Sequence, residues 1–493
     1  MNKEFRHFLL LAVARGAKVP LALAISALVA RIAGPEGVGQ WAMLLAAGGL
    51  LYALFISWTQ AVAVRFGCEE WASLSRLDST LARRLPLLVA GITLAAFALW
   101  IQPANWLMQG FGIPPGLAWL VFLQLVGLWL MSEVQSLMQI TAGFARLAFV
   151  PLLAEAFCVM FLVGIFGFGV SGISVPVMLA WLFMIATLTA LLALIVEQRR
   201  LGLRLGRFSR ALSWESILFA WPLIPTFVVG FASDWCDQVI LRAFFSNEEV
   251  GHFQVAYQLM LFLVSMPAPV ATIILPKLIG VHTSDSAVAA RYLENVVPTL
   301  MILWLLAAIP MVVLAPYVVE AVYGKQFAVS GQLLAILSVA VPGCVVSYLY
   351  GVLFSLQGRF GWMTFYATLM AGINIVISLA LVPAMGAIGA AVGTAVSYLV
   401  IQGLYFMDQQ KHFAMRKGAS RIFLFSTVFS ILIGMTVYLP LISLMLGVIA
   451  MALLVCLVRK QGVWNSDVAV KIFAGRLNFL AYGLNRVFAA SSH

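Results

Sequence analysis

ISVPVMLAWLFMIATLTALLALIV, residues 173–196, carries no charged side chain, and EQRRLGLRLGRFSRALS, residues 197–213, follows it directly. The first stretch is long enough to cross a bilayer as a helix, which takes ~20 mainly apolar residues. The second is the most basic segment of the chain. An apolar run ended by a cluster of arginines predicts a membrane span stopping at a cytoplasmic surface.

The same alternation extends over the whole sequence. It predicts spans near 8–31, 38–62, 84–102, 115–139, 146–168, 173–196, 215–241, 250–276, 295–318, 329–355, 361–382, 386–407, 421–439 and 441–458. Composition points the same way. Mean hydropathy is +1.05, 63% of the 493 residues are hydrophobic and only 10% are charged. So few charges cannot clothe a water-soluble fold of this length.

Charge sorting sets the expected orientation. With the N-terminus in the cytoplasm, the inner segments collect all but five of the 29 Lys and Arg residues. The outer loops hold Arg31, Arg242 and Lys325, and only Arg15 and Lys18 fall within a span. Such a bias follows the positive-inside rule and places both termini in the cytoplasm. It also explains the net charge of +11 without nucleic acid, because anionic lipid attracts cytoplasmic loops. The five cysteines are scattered, with no metal-ligand spacing, so no metal or cofactor is expected.

The fold class read from these observations is an all-α integral membrane protein of about 14 transmembrane helices. It is organised as an N-terminal six-helix lobe (1–196), a basic cytoplasmic linker (197–214) and a C-terminal six-helix lobe (215–410). Two additional helices (411–458) and a cytoplasmic amphipathic tail (459–493) follow. A faint internal repeat relates the lobes. GPEGVGQWAM at 34–43 matches SNEEVGHFQV at 246–255, where Glu36, Val38 and Gly39 align with Glu248, Val250 and Gly251. Both segments occupy the first outer loop of their half. The two halves start on the same side, so the pseudo-two-fold lies along the membrane normal.

Three segments resemble polysaccharide flippases, the oligosaccharidyl-lipid exporters of the multidrug/oligosaccharidyl-lipid/polysaccharide superfamily. They are ALVARIAGPEGVGQWAMLLAAGGLL (27–51), DQVILRAFFSNEEVGHFQVAYQLM (237–260) and INIVISLALVPAMGAIGAAVGTAVSYLV (373–400). Each falls at the matching topological place, and the resemblance covers about 1–410. It implies a two-lobed bundle around a central cavity, working by alternating access as a monomer in the bacterial inner membrane. It implies a substrate of oligosaccharide on an undecaprenyl-pyrophosphate carrier, with a polysaccharide polymerase and export machinery as partners.

The charged residues inside spans are then the candidate site. Arg15 and Lys18 lie three apart and share a helix face. Each charge near mid-span costs ~2.5–3.5 kcal/mol on insertion scales, so a function or a partner has to justify it. They read as a pyrophosphate clamp, or as snorkelling cations paired with Glu133 or Glu155. Asp234 and Asp237 share a face of the seventh span and suit a proton or sodium coupling site, or a pairing with Arg242. Glu133, Gln135 and Gln139 belong to a polar stripe that could line the cavity or join helices. Glu155 reads as a counter-ion for Arg15 or Lys18.

Two rival functions are weighed. A multidrug exporter of the same superfamily would need an acidic cavity for organic cations, which Arg15 and Lys18 disfavour. A membrane glycosyltransferase or polymerase would need catalytic residues on a sizeable outer loop. The longest outer gap, PANWLMQGFGIP at 103–114, has no charge at all, so an enzyme is not expected.

Overall fold

The computed structural model describes residues 3–100, 105–141, 143–169, 173–203, 206–265, 286–344, 359–412, 440–461 and 478–488, with a few single residues between 421 and 466. Every regular element among them is helical. Eight of these helices are long and apolar enough to cross a membrane, or nine if a bent pair around Met311 counts as one span. This is a multi-span membrane protein. Described helices stand at every expected span except 421–439, which lies largely outside the described residues, as do 266–276, 345–355 and most of the tail before 478.

The chain divides into two compact units, Met1–Gln254 and Val255–His493. The first begins with α1 (Lys3–Phe55), whose apolar part, Ala17–Phe55, is 39 residues long. A straight helix of that length would reach about 58 Å, twice the depth of the bilayer core. The chain solves this at Gly34, with φ 67° and ψ −177°. The positive φ suits glycine alone, and the following Pro35 demands an extended ψ before it. Gly34-Pro35 therefore divides α1 into two arms, which are the first two expected spans.

α2 (Ser57–Leu74) continues from the second arm and turns into α3 (Asp78–Trp100). The turn is held by Glu70. Its carboxylate accepts from the Ser79 and Thr80 backbone N–H groups, both at 2.8 Å, and from the Thr80 hydroxyl at 2.6 Å. These are the orphan donors of a helix start, and an acidic group there also meets the favourable end of the helix dipole. Burial alone would raise the Glu70 pKa, but the hydrogen bonds from Thr80 and Ser79 outweigh it and hold the carboxyl below its ordinary 4.5.

The short α4 (Asn105–Gly110) precedes α5 (Ala118–Ile140), α6 (Phe144–Gly167) and α7 (Val175–Leu201). α1 packs most extensively on α6, and α5 on α7. α8 (Arg210–Ala220), α9 (Ile224–Phe244) and the start of α10 (Asn247–Ser265) complete the unit, and the boundary between units falls inside α10. α9 packs on α1, with Phe231 and Trp235 set against Gly49 at 3.8 and 3.9 Å from where a Cβ would stand.

The second unit holds α11 (Ser286–Tyr323), α12 (Ala328–Leu337), α13 (Phe360–Met385), α14 (Ala387–His412), α15 (Pro440–Gln461) and α16 (Asn478–Phe488). α13 and α14 form a tight hairpin across Gly386. There Gly389 lies on the Leu381 backbone, and a Cβ would meet the Leu381 carbonyl oxygen at 2.7 Å. Small residues at such crossings let membrane helices approach closely. α16 is docked on α15: Arg459 donates to the carbonyls of Val487 and Arg486 at 2.6 and 3.1 Å, satisfying the open end of α16. Trp464 stacks on Phe488 with centroids 5.1 Å apart and donates to Asn485.

Each unit contains a helical hairpin closed by an ion pair. In the first unit Arg146, opening α6, pairs with Glu197 near the end of α7 at 2.6 Å. In the second, Arg359, just before α13, pairs with Asp408 near the end of α14 at 2.8 Å. The same helical hairpin is closed by the same type of ion pair in each.

Candidate functional site

The charged side chains inside the spans of the first unit define the site. Lys18 stands on the first arm of α1, with its side chain 53% exposed, and its ammonium lies 3.5 Å from Glu155 on α6. Glu155 is the counter-ion that sequence reasoning offers for this face. Arg15 lies one turn earlier on the same arm; its side chain falls outside the described residues. The ammonium is half-exposed, so Glu155 does not enclose it. Pro20 follows within the same arm.

Asp234 and Asp237, three apart on α9, differ in environment. Asp237 is 2% exposed and Gln238 beside it is buried, donating to Gln254 of α10 at 3.1 Å. Asp234 is exposed, without a hydrogen bond or ion pair among the described residues. The two carboxylates are therefore not equivalent: one is built into the packing, the other is open.

Glu133 joins helices, one of the two roles its polar stripe allows. It is 8% exposed and closed in a bidentate pair with Arg84 of α3 at 2.5 and 2.6 Å. Trp129 donates to the same carboxylate at 2.9 Å. Thr59 accepts from Arg84 at 3.3 Å and donates to the Ile56 carbonyl at 2.7 Å, at the break between α1 and α2. Both charges are thus neutralised and hydrogen-bonded, as burial requires. The stripe itself divides around the helix. Gln135 is half-buried and Gln139 exposed on the outer part of α5, while Glu133 and Ser136 turn inward.

Arg84 is the residue that sequence reasoning misses. Charge sorting places it among the cytoplasmic cations because the span is expected to start there, whereas α3 begins at Asp78 and leaves Arg84 3% exposed. One signal points to it: an acidic residue within a span needs a cation, and Arg15 and Lys18 are the partners the sequence offers for Glu133.

Among the described residues no group of three or more His, Cys, Asp or Glu side chains could hold a metal ion.

Comparison with known proteins places the sequence in a family. The model for polysaccharide biosynthesis proteins matches residues 5–282. The chain belongs to that family. No curated protein matches it. Among solved structures it is similar to the lipid II flippase MurJ in its inward closed conformation, with 14% identity, a TM-score of 0.68, and coverage of 90% of this chain and 98% of the other. It is also similar to an inward-facing multidrug resistance MATE family transporter of the MOP superfamily, with 14% identity, a TM-score of 0.59, and coverage of 82% and 98%. The Vibrio cholerae MATE transporter VcmN, in its bent form, gives 12% identity, a TM-score of 0.52, and coverage of 83% and 95%. At these identities the likeness shows the fold alone, one shared with these flippase and MATE structures.

Proposed function

We propose that this protein is a flippase that moves undecaprenyl-pyrophosphate-linked oligosaccharide units across the bacterial inner membrane, for O-antigen or exopolysaccharide assembly. The observation that carries this reading is the half-exposed Lys18 in a membrane-spanning arm of a polysaccharide biosynthesis protein. A pyrophosphate is the ligand that repays such a charge, and Arg15 on the same face adds a second cation with a bidentate fork. Glu155 then serves as the resident counter-ion, holding Lys18 between cycles and yielding it to the phosphate. Alternating access moves the site from one face to the other, with both termini cytoplasmic. Asp234, open on α9, is the residue through which a proton or sodium ion would drive the cycle.

The test is mass spectrometry of lipid-linked oligosaccharides in cells lacking the protein. One undecaprenyl-pyrophosphate glycan should accumulate while its surface polymer disappears, and the wild-type gene should restore both. An unchanged lipid-linked pool would overturn the reading.

A second reading, export of organic cations, draws on the exposed Asp234 and on the fold shared with MATE transporters. It expects altered sensitivity to cationic dyes in the same cells, with no glycan accumulation.

A further inference from the structure

We propose that the membrane-facing groove between α6 and α7 binds one anionic phospholipid, drawn from the leaflet on the basic side of the protein. The groove has a volume of about 430 Å³, within the range of small-ligand sites. Buried Met138 of α5 and half-buried Ala193 of α7 line it. Phe149 and Phe157 wall it from α6, and Leu192 and Val196 from α7, each of the four at least 45% exposed toward the membrane. Ala193 is the smallest of the lining residues, so a larger side chain there would occupy the groove.

Its length is matched to one leaflet. The α6 side runs from Arg146 to Phe157, about 17 Å at helical rise, and the bilayer core is ~30 Å deep. An acyl chain starting at the Arg146 end would therefore run to about the bilayer midplane. A carrier chain threading the whole membrane would outrun the groove.

The end of the groove selects charge. Glu197 is 1% exposed and is shared by Arg146 at 2.6 Å and Arg200 at 3.4 Å. One carboxylate facing two guanidinium groups leaves a surplus positive charge, and Arg199 adds another in the same last turn. Arg200 keeps half its side chain exposed, 51%, and so retains donors for a phosphate. Arginine suits this role because its planar fork meets phosphate oxygens in pairs. An apolar channel one leaflet deep, ending in surplus guanidinium charge, is complementary to a phospholipid with an anionic headgroup.

The inference requires the protein to lie in a membrane and is independent of what it transports. Full-length protein is purified in detergent, its retained lipid is quantified by mass spectrometry, and thermal unfolding is followed with added phosphatidylglycerol or phosphatidylcholine. Wild-type protein should retain phosphatidylglycerol and be stabilised by it in preference to phosphatidylcholine. Ala193→Phe, which fills the groove, should lower the affinity roughly tenfold, about 1.4 kcal/mol. Arg200→Gln, on the surface and leaving the Arg146–Glu197 pair intact, should diminish the headgroup preference while phospholipid is still retained. Unchanged retention in Ala193→Phe would overturn the proposal, as would undecaprenyl phosphate being the retained lipid in place of phosphatidylglycerol. If Ala193→Phe does not fold, an undiminished phosphatidylglycerol preference in Arg200→Gln overturns it by itself.

Discussion

Gly39 and Gly251 make one contact in exchange: Gly39 lies on the carbonyl of Asn247, and Gly251 lies on the carbonyl of Pro35. The internal repeat pairs Gly39 with Gly251 and, by the same offset, Pro35 with Asn247. The contact is therefore reciprocal, as a two-fold relation requires. A Cβ at either glycine would overlap the opposing carbonyl, so neither position can accept even alanine without the backbones parting.

Gly39→Val and Gly251→Val should each lower stability by about 1–3 kcal/mol, the range for overpacking a close contact. The double substitution should cost less than the sum, because either change alone already separates the same two backbones. Thermal unfolding of the four proteins in detergent provides the cycle. Strict additivity would mean that the two contacts act independently.

The buried Arg84–Glu133 pair predicts an asymmetry. Arg84→Ala strands the Glu133 carboxylate and should cost about 3–5 kcal/mol. Arg84→Leu combined with Glu133→Leu removes both charges and should recover much of that loss. Chemical unfolding of the single and double variants measures it. A double variant as weak as the single would show that the pair contributes more than mutual neutralisation.

Glu70 predicts a pH dependence. Its folded pKa is depressed, so its contribution is fully present above the ordinary glutamate value of 4.5. It is lost as pH falls through the lower folded value, because the unfolded state then binds the proton first. The stability difference between wild type and Glu70→Gln should be constant from neutral pH to about 5 and shrink on further acidification. Melting temperatures of the two proteins across that range test it; a gap that widens in acid would give the opposite sign.

In cells, Arg15→Ala with Lys18→Ala should abolish glycan export while the protein still inserts at normal levels. Glu155→Gln should retain export, since it removes the counter-ion and leaves the cations. Equal loss in both variants would make the Lys18–Glu155 pair structural and remove the pyrophosphate clamp.

Asp234→Asn should change the pH or sodium dependence of transport in reconstituted vesicles, whereas Asp237→Asn, buried in packing, should act mainly on stability. An unchanged ion dependence in Asp234→Asn would take that residue out of the coupling role.

The sequence by itself determined the class of the protein and the course of its spans. Those depend on local composition: some twenty apolar residues form a spanning helix whatever lies elsewhere. The break at Gly34-Pro35 is equally local, because a proline restricts the residue before it. Even the counter-ion of Lys18 was within reach, since a membrane charge demands one. Which partner each remaining charge takes was decided by the tertiary structure alone. Arg84 and Glu133 are 49 residues apart, and their meeting depends on how α3 and α5 are rotated about their own axes. Each residue turns a helix by about 100°, so an uncertainty of one position carries a side chain from the interior to the lipid. In helices apolar on nearly every side, such as α6 and α7, no polar face sets that rotation. Only the packing of neighbours does, and with it the groove below Arg146 and the reciprocal seating of Gly39 and Gly251.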